Sequence, residues 1–209
     1  MKAYLFDLDG TLLDSIDLIL TSFHHTSRAH LGLEHSNAFW LEGIGTTLRT
    51  QLSRIARSEE ELEAMLDTYR RFNLDQHDAM AKPFAGVVDV VKQLHRDGAK
   101  LALVTSKLSD GANRGVRLLG LDDELSVRVC ADDVVNGKPH PEPVLKALAA
   151  LDAPAESAVF IGDSEHDIEA GQAAGVATAA VGWGPFSREE LEAAGPTYWL
   201  DTPQEIAKL

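Results

Sequence analysis

The stretch AYLFDLDGTLLDS, Ala3 to Ser15, decides the fold of this 209-residue chain. It begins as a short apolar run without polar alternation, which is typical of a parallel strand covered on both faces. Asp7 and Asp9 follow at once, and Gly10 and Thr11 come next. The pattern predicts a buried strand whose carboxyl end carries two carboxylates, at the edge where open α/β sheets bind their ligands.

Four further apolar runs of the same kind follow along the chain, and helical patterns lie between them. The helical patterns end near turn residues such as Gly120 and Gly175, which is typical of helix C-termini. This alternation predicts the α/β class, with a doubly wound parallel sheet and right-handed crossovers. The predicted strands are Ala3–Leu8, Lys100–Thr105, Ser126–Cys130, Ala158–Gly162 and Ala177–Val181. The predicted helices between them are Val87–Arg96, Gly111–Leu119, Glu142–Leu151, His166–Ala174 and Glu189–Ala194.

From residue 15 to residue 80 the pattern changes, because this segment has helical patterns but no predicted strand. The helical patterns cover Ile16–His30, Thr46–Ala56 and Glu59–Phe72. Pro83 and Gly86 mark the return to the α/β alternation. We therefore predict a core of residues 1–14 and 81–209, with an all-helical segment of residues 15–80 inserted over the carboxyl ends of the strands. We call this inserted segment the cap.

Composition and charge narrow the classes of partner. Hydrophobic residues make up 44% of the chain and charged residues 25%, as in ordinary globular proteins. The net charge of −14 argues against nucleic acid and anionic membranes, and no apolar run is long enough to span a bilayer. Cys130 is the only cysteine and no secretory leader is visible, so we expect a cytoplasmic protein. Both a monomer and a homodimer remain open.

The first pair of acids can carry phosphate chemistry. An ionised aspartate such as Asp7 can attack phosphorus and form an aspartyl-phosphate. The second acid, Asp9, can protonate the leaving oxygen and later deprotonate the hydrolytic water, a role that typically contributes about 10²–10⁴-fold. Gly10 lets the backbone turn close to a ligand. Two acids could also lie on a solvated loop, but their position directly after a buried strand favours a site.

A second acidic cluster, IGDSEHD, covers Ile161–Asp167 and also follows a predicted strand. Asp163 lies at the strand end, and Asp167 lies one helical turn further on. Carboxylate oxygens that converge on one point suit Mg²⁺, which takes one or two carboxylates together with waters and phosphate oxygens. The alternative is that Asp163 and Ser164 only cap a helix.

Two more polar positions follow predicted strands. Thr105 and Ser106 end one strand, where their hydroxyl and amide groups can hold phosphate oxygens or simply start a helix. Lys138 lies in GKPHPEP, Gly137–Pro143, where prolines restrict the backbone. Such a lysine can balance the charges of a nucleophile and a phosphoryl group. Taken alone it would be an ordinary surface lysine, but four complementary elements after strands favour one shared site.

In chain order, Asp-x-Asp-Gly-Thr, Thr, Lys-Pro and Gly-Asp-x-x-x-Asp resemble the four motifs of the haloacid dehalogenase-like superfamily, in its phosphatase branch. The resemblance spans the whole chain, and the helical insertion after the first motif is similar to the four- or five-helix cap of that family. It implies a Rossmann-like core, Mg²⁺ as cofactor, and hydrolysis of a small phosphate compound through an aspartyl-phosphate.

The resemblance also implies a role for each motif residue. Asp7 is implied as the nucleophile and a metal ligand, and Asp9 as an acid and base that also gives its backbone carbonyl to Mg²⁺. Asp163 is implied as a further metal ligand, with Asp167 orienting the metal-bound waters. The residues implied in phosphate binding are Gly10, Thr11, Thr105, Ser106 and Lys138.

Other classes explain less of the sequence. Receiver domains of response regulators combine acids, Thr or Ser and Lys on a doubly wound sheet, but their acidic pair precedes the phosphorylated aspartate and they lack a long helical insertion. An inactive relative that serves as an interaction module would have lost a charged motif residue, and none is missing here. Dehalogenases lack the second aspartate, so Asp9 argues against them. A phosphosugar mutase shares all four motifs and differs mainly in its cap.

The cap is expected to set substrate specificity. Its basic residues are six arginines and no lysine, and the arginine fork suits a carboxylate or a phosphate. The segment GIGTTLR, Gly43–Arg49, is similar to the specificity loop of the family. We predict substrate contacts from Thr46, Arg49, Arg70 and His77. The plainer interpretation is that Thr46 caps a helix and that the arginines pair with nearby glutamates.

Two branches of the superfamily have the most similar sequence pattern, namely phosphoglycolate phosphatases and bacterial inorganic pyrophosphatases. The resemblance to the pyrophosphatase branch is carried by SFHHT (Ser22–Thr26), YRRFNLDQHD (Tyr69–Asp78), VTSK (Val104–Lys107), GDSEHDI (Gly162–Ile168) and AGQAAG (Ala170–Gly175). It implies pyrophosphate as the favoured substrate. Phosphoglycolate or another small phosphomonoester is the alternative.

Overall fold

The computed structural model describes residues 1–209. Its main element is a six-stranded sheet in which all neighbouring strands are parallel. Its strands are β1 (Ala3–Phe6), β4 (Lys100–Val104), β5 (Val127–Val129), β6 (Ala158–Gly162), β7 (Ala177–Val181) and β8 (Tyr198–Leu200). They lie in the order β5-β4-β1-β6-β7-β8. From β1 the chain continues to the β4 side, whereas from β6 it continues to the β7 side. The strand order therefore reverses between β1 and β6, which is where doubly wound sheets bind ligands.

The helices of the core cover both faces of this sheet. They are α5 (Val87–Arg96), α6 (Ser109–Leu119), α7 (Glu142–Leu151), α8 (Glu165–Ala173) and α9 (Arg188–Ala193). Strand β1 is buried on both sides, because Tyr4 and Phe6 belong to one hydrophobic cluster and Ala3 and Leu5 to the other. Burial on both faces explains the apolar run without alternation, and the predicted α/β fold class is confirmed.

Between the first two core elements the chain forms four helices. They are α1 (Ile16–Leu31), α2 (Asn37–Leu41), α3 (Leu48–Ser53) and α4 (Glu59–Met80). These helices have a hydrophobic cluster of their own, in which the Phe23 ring stacks on Trp40 with centroids 4.3 Å apart and Tyr69 packs against Phe23. Both ends of the cap meet in a short antiparallel ribbon of β2 (Leu13–Asp14) and β3 (Lys82–Pro83).

Several elements differ from the sequence prediction. The helix expected over Thr46–Ala56 is shorter, because Thr47 caps α3 by accepting a hydrogen bond from the Thr50 amide. Helix α4 continues to Met80, beyond the predicted end at Phe72. The prediction missed α2, the β2–β3 ribbon and β8, and it placed α9 one residue too late. Two- and three-residue strands and a five-residue helix are too short to produce a periodic pattern. No helix has the length and apolar character needed to cross a bilayer.

Candidate active site

Three buried aspartates lie together where β1 and β6 end. Asp7 follows β1, Asp163 follows β6, and the two strands pair directly, with Phe6 opposite Ile161. The Asp7 amide donates a hydrogen bond to the Ile161 carbonyl at 2.9 Å, which continues the ladder to the edge of the sheet. Asp167, in the first turn of α8, completes the group, and one carboxylate oxygen from each of the three residues lies within 4.8 Å of the other two.

The ammonium group of Lys138 lies among these carboxylates. Its Nζ donates to Asp7 Oδ1 at 2.9 Å and to Asp167 Oδ1 at 2.5 Å, and its side chain is only 1% exposed. Burial disfavours the charged lysine, but the carboxylates of Asp167 and Asp7 outweigh it and raise the pKa of Lys138. Lys138 is therefore a permanent positive charge within the cluster, as its predicted role requires.

One ammonium cannot balance three carboxylates. Burial, assisted by the negative charge of Asp167, raises the pKa of Asp7 to about 7 even though Lys138 opposes the shift. Burial and the charge of Asp7 likewise raise the pKa of Asp163. The Oδ2 atom of Asp163 is buried and has no hydrogen-bond partner. An unpaired buried carboxylate oxygen beside two others is a donor set that fits a hard divalent cation, and oxygen ligands of this kind suit Mg²⁺.

Two glycines, Gly10 and Gly184, lie directly against Asp163. A Cβ on Gly10, whose φ is +82°, would lie 2.2 Å from Asp163 Oδ2, and a Cβ on Gly184 would lie 2.6 Å from Asp163 Cβ. Thr11 Oγ1 donates to Asp163 Oδ1 at 3.1 Å, and Trp183 Nε1 donates to the Thr11 carbonyl at 2.9 Å. The hydroxyl of Thr11, predicted to bind phosphate, therefore holds Asp163 in this structure. Sequence analysis missed Trp183 and Gly184, because they belong to no predicted motif.

Asp167 is fixed on its second oxygen by the helix that carries it. Its Oδ2 accepts from the Ser164 amide at 3.1 Å and from Ser164 Oγ at 2.6 Å, while the Asp167 amide donates back to Ser164 Oγ. This is a capping box at the start of α8. Ser164 therefore caps the helix, as the alternative predicted, but its partner is Asp167 and Asp163 takes no part. Asp167 serves the cap with Oδ2 and the carboxylate cluster with Oδ1.

The second acid of the first motif faces the cavity beside the cluster. Asp9 Oδ1 accepts from Ser15 Oγ at 2.6 Å and from Lys107 Nζ at 2.6 Å. The side chains of Asp9 and Lys107 are each 16% exposed. Asp9 is thus held in place and reaches solvent in the cavity, whereas Asp7 is buried. Sequence analysis assigned Lys107 no role.

The Thr105–Ser106 segment connects the core to the cap. Thr105 is buried, and its Oγ1 accepts a hydrogen bond from the Lys107 amide at 3.2 Å. Ser106 Oγ donates to the carbonyl of Gly45, in the cap, at 2.6 Å. The hydroxyl of Ser106 was predicted to bind phosphate, and here it is engaged by the cap instead. A Cβ on Gly45, whose φ is +99°, would lie 2.6 Å from Ser164 Oγ, so the cap loop lies directly on the core.

A cavity of about 420 Å³ lies between the cap and the core. On the core side it is lined by residues that include Asp7, Asp9, Thr105, Ser106, Lys107 and Lys138. On the cap side its lining includes Thr46, Arg49, Tyr69, Arg70 and Asn73. Acids, a buried lysine and cap cations therefore share one cavity, which suits a small ligand.

The four predicted specificity residues have different environments. Arg49 lines the cavity, but its guanidinium pairs with Glu59 at 2.7 Å and with Glu63. Arg70 lines it with a buried Nε that has no hydrogen-bond partner, and its nearest carboxylate, Asp67, is 4.0 Å away. Arg70 is therefore the cap cation most available to a ligand.

The other two specificity candidates contact the protein itself. Thr46 Oγ1 donates to the carbonyl of Gly43 in its own loop at 2.7 Å. The buried His77 is not among the cavity-lining residues, and its Nδ1 lies 2.8 Å from Asp78, which pairs with Arg114 of α6. His77 thus lies one turn beyond the cavity-lining Asn73, where the cap rejoins the core.

Comparison with known proteins decides the family. Residues 4–181 match the family model described as haloacid dehalogenase-like hydrolase. The chain belongs to the haloacid dehalogenase-like hydrolase family. The family predicted from the four motifs is therefore confirmed, and with it the class of enzyme.

Individual relatives of this hydrolase cover nearly its whole length. A protein of Bacillus cereus (strain B4264) named pyrophosphatase PpaX is 42% identical over 206 residues, which is 99% of this chain and 94% of the relative. A solved hydrolase from Pseudomonas syringae superposes with a TM-score of 0.91 at 23% identity, covering 100% of this chain and 97% of that one. A predicted phosphoglycolate phosphatase from Haemophilus somnus 129PT gives a TM-score of 0.90 at 21% identity, covering 100% and 97%. At these identities the two solved structures show the fold alone.

The acidic cluster predicts a linked dependence of stability on metal and pH. Without a divalent cation, Asp7 has a folded pKa of about 7 against an ordinary value of 3.8. The folded state then binds more protons than the unfolded chain between these pH values, so the free energy of unfolding should fall as pH rises across them. Mg²⁺ needs ionised carboxylates, so the rise in Tm that it causes should be small at about pH 5 and larger at about pH 8.

The measurement is thermal unfolding of the wild type with EDTA and with saturating Mg²⁺ at both pH values. Asp163→Asn should lose most of the Mg²⁺-dependent rise, whereas Asp89→Asn, an exposed aspartate of α5, should keep it. A rise of equal size at both pH values, or one that survives in Asp163→Asn, would contradict the assignment of the cluster.

Proposed function

We propose that this hydrolase uses Mg²⁺ to cleave pyrophosphate through an aspartyl-phosphate on Asp7. The observation that carries the proposal is the position of Asp7, which is held by Lys138 beside Asp163 and lines the cavity between cap and core. The relative named pyrophosphatase PpaX, 42% identical over 99% of this chain, supports the choice of pyrophosphate.

The reaction begins at the carboxylate of Asp7. One of its oxygens attacks the nearer phosphorus, and the bond from that phosphorus to the bridging oxygen breaks. The leaving phosphate takes the electron pair of that bond and a proton from Asp9. Water then attacks the aspartyl-phosphate, and Asp9 accepts its proton, which restores Asp7 and releases the second phosphate. Asp9 can serve both steps because it faces the cavity, whereas Asp7 is fixed in the cluster.

Lys138 and Thr105 would hold the transferring phosphoryl group. Lys138 already donates to Asp7 at 2.9 Å, so a phosphorus within reach of that carboxylate would bring its oxygens close to the same ammonium group. Thr105 lines the same cavity, directly after β4, and its Oγ1 accepts a hydrogen bond from the Lys107 amide. Fixed donors beside the reacting atoms stabilise charge in the transition state without reorganising.

The residues that would hold Mg²⁺ are Asp7, Asp163 and the backbone carbonyl of Asp9, with Asp167 beyond them. The unpaired Oδ2 of Asp163 and the raised pKa of Asp7 support this assignment. When bound, the cation supplies positive charge that keeps these carboxylates ionised at neutral pH and polarises the phosphoryl oxygens.

One observation favours the second candidate, phosphoglycolate. Arg49 is paired with Glu59 and Glu63, so Arg70 is the cap arginine left to meet the far end of a substrate. A single arginine fork is enough for a carboxylate, whereas a leaving phosphate has more oxygens to satisfy. Pyrophosphate stays preferred only if the core supplies a further cation.

The nucleophile assignment predicts that Asp7→Asn abolishes turnover, because an amide cannot attack phosphorus. The fold should stay intact. Release of phosphate from pyrophosphate and from p-nitrophenyl phosphate should fall below about 1% of the wild-type rate, beyond the loss of a single acid/base group. Asp89→Asn is the matched control and should keep full activity. Turnover in Asp7→Asn above that level would refute the role of Asp7.

The substrate assignment predicts that kcat/KM for pyrophosphate exceeds that for phosphoglycolate. Arg70→Ala should lower kcat/KM for pyrophosphate at least tenfold, about 1.4 kcal/mol in transition-state binding. The control is Arg71→Ala, because Arg71 is the exposed neighbour on the same helix and does not line the cavity. A tenfold preference for phosphoglycolate in the wild type would overturn the choice of pyrophosphate, and an unchanged Arg70→Ala would make Arg70 structural.

A further inference from the structure

A second cation of the core lies in the cavity, outside the four motifs. Lys107 Nζ is 2.6 Å from Asp9 Oδ1, the carboxylate proposed to protonate the leaving group. The side chain is 16% exposed and lines the same cavity as Asp7 and Arg70. Lys107 therefore lies next to the proposed acid, although none of the four motifs includes it.

The core holds Lys107 firmly. Its backbone amide donates to Thr105 Oγ1 at 3.2 Å, and its carbonyl accepts from the Ala131 amide at 2.9 Å. Its side-chain stem lies along Gly111, where a Cβ would meet Lys107 Cγ at 3.3 Å and Cδ at 3.4 Å. A backbone held at both ends and a packed stem direct the ammonium group into the cavity, unlike a mobile surface lysine.

The other cations around the cavity are largely occupied. Lys138 donates to two carboxylates of the cluster, and Arg49 pairs with two glutamates of the cap. Lys107 contacts one carboxylate, that of Asp9, and an ammonium group has three donors. Lys107 on the core side and Arg70 on the cap side are therefore the cations with capacity left for a ligand.

The geometry also restricts where a leaving group can lie. To receive a proton from Asp9, the bridging oxygen of the substrate must come within hydrogen-bond distance of that carboxylate. Since Lys107 Nζ already lies 2.6 Å from Asp9 Oδ1, the leaving group must then lie close to the ammonium group. A fixed positive charge beside the leaving group stabilises the negative charge that develops on it.

We propose that Lys107 binds the leaving group and selects substrates that carry an anionic group beyond the scissile bond, which rests on the proposed phosphohydrolase function. For pyrophosphate, the bond from the attacked phosphorus to the bridging oxygen breaks and its electron pair passes to the departing phosphate. Asp9 supplies one proton to that phosphate. Lys107 keeps its own protons and donates hydrogen bonds to the phosphate oxygens. Lys107 is thereby the second cation, besides Arg70, that the leaving phosphate needs.

The test compares leaving groups in Lys107→Met, which keeps most of the stem and removes the charge. Asp9 retains its hydrogen bond from Ser15, at 2.6 Å, so the acid stays anchored in the variant. With saturating Mg²⁺, kcat/KM for pyrophosphate should fall by about 10²-fold, the scale of one lost transition-state donor. Ethyl phosphate and p-nitrophenyl phosphate carry no anionic group beyond the scissile bond, so for them the loss should stay below about threefold, the scale of a weak contact.

Two further variants complete the test. Lys107→Arg should recover part of the activity on pyrophosphate, because it restores the charge. Lys208→Met, which removes an exposed lysine paired with Glu205 far along the chain, should leave all three rates unchanged.

Three outcomes would overturn the proposal. An unchanged rate on pyrophosphate in Lys107→Met would remove Lys107 from the site. Equal losses on pyrophosphate and ethyl phosphate, with p-nitrophenyl phosphate spared, would mean that Lys107 acts only by positioning Asp9. Equal losses on all three substrates, with a lowered Tm, would make its role structural.

The substrate proposal can fail separately. If the wild type prefers phosphoglycolate, the loss of kcat/KM in Lys107→Met is compared between phosphoglycolate and ethyl phosphate. These two substrates differ by a carboxylate in place of a methyl group. A selective loss on phosphoglycolate would then support Lys107 as the selector of substrates with an anionic group beyond the scissile bond, even though pyrophosphate had been the wrong substrate.

Discussion

The buried contact of Lys138 with Asp7 and Asp167 is the constraint on which the rest of the site depends. Removing charged groups from water costs several kcal/mol for each ion, and a mutual attraction offsets this only with close geometry. Lys138 meets that condition, with its Nζ 2.9 Å from Asp7 and 2.5 Å from Asp167. It leaves the third carboxylate, Asp163, with one oxygen unpaired. The protein thus crowds three acids around one ammonium group at the edge of its sheet, and a divalent cation would offset the repulsion between them when they ionise.

The sheet makes this arrangement possible because it brings distant parts of the chain to one edge. Strands β1 and β6 pair directly, so the acids that follow them are neighbours although they are far apart in sequence. The chain leaves the core almost immediately after the first acids and returns through the β2–β3 ribbon. The cap is therefore attached next to the chemistry that it covers. Contacts from Ser106 to Gly45, and from Phe186 to the hydrophobic cluster of the cap, close the space between them.

The sequence predicted the core well, since parallel strands covered on both faces have a distinct apolar pattern and their carboxyl ends meet at one edge. Motif residues that follow such strands had to lie close together, and Asp7, Asp163, Asp167 and Lys138 do. Side-chain partners were harder to predict. The hydroxyls of Thr11 and Ser106 bond to Asp163 and to Gly45, and neither partner is near in sequence.

Side-chain contacts within the cap were even harder to predict from the sequence. Arg49 pairs with glutamates ten and fourteen residues away, on another helix, so its availability depends on how α3 packs on α4. Arg70 and His77 were both predicted to contact the substrate, but His77 lies further along α4, beyond the cavity, where the cap rejoins the core. Lys107 was missed because its significance comes from the distance to Asp9, and a lysine after a Thr–Ser pair carries no such information in sequence.

The central claim is that Asp7 is the residue that becomes phosphorylated. The most direct measurement is to quench the enzyme during turnover of pyrophosphate with Mg²⁺, reduce the aspartyl-phosphate with borohydride, and map the modified peptide by mass spectrometry. Our account predicts that the reduced residue, homoserine, appears at position 7 and that Asp9→Asn, which slows breakdown of the intermediate, increases its yield. Modification at another aspartate, or steady hydrolysis with no covalent intermediate in either protein, would contradict it.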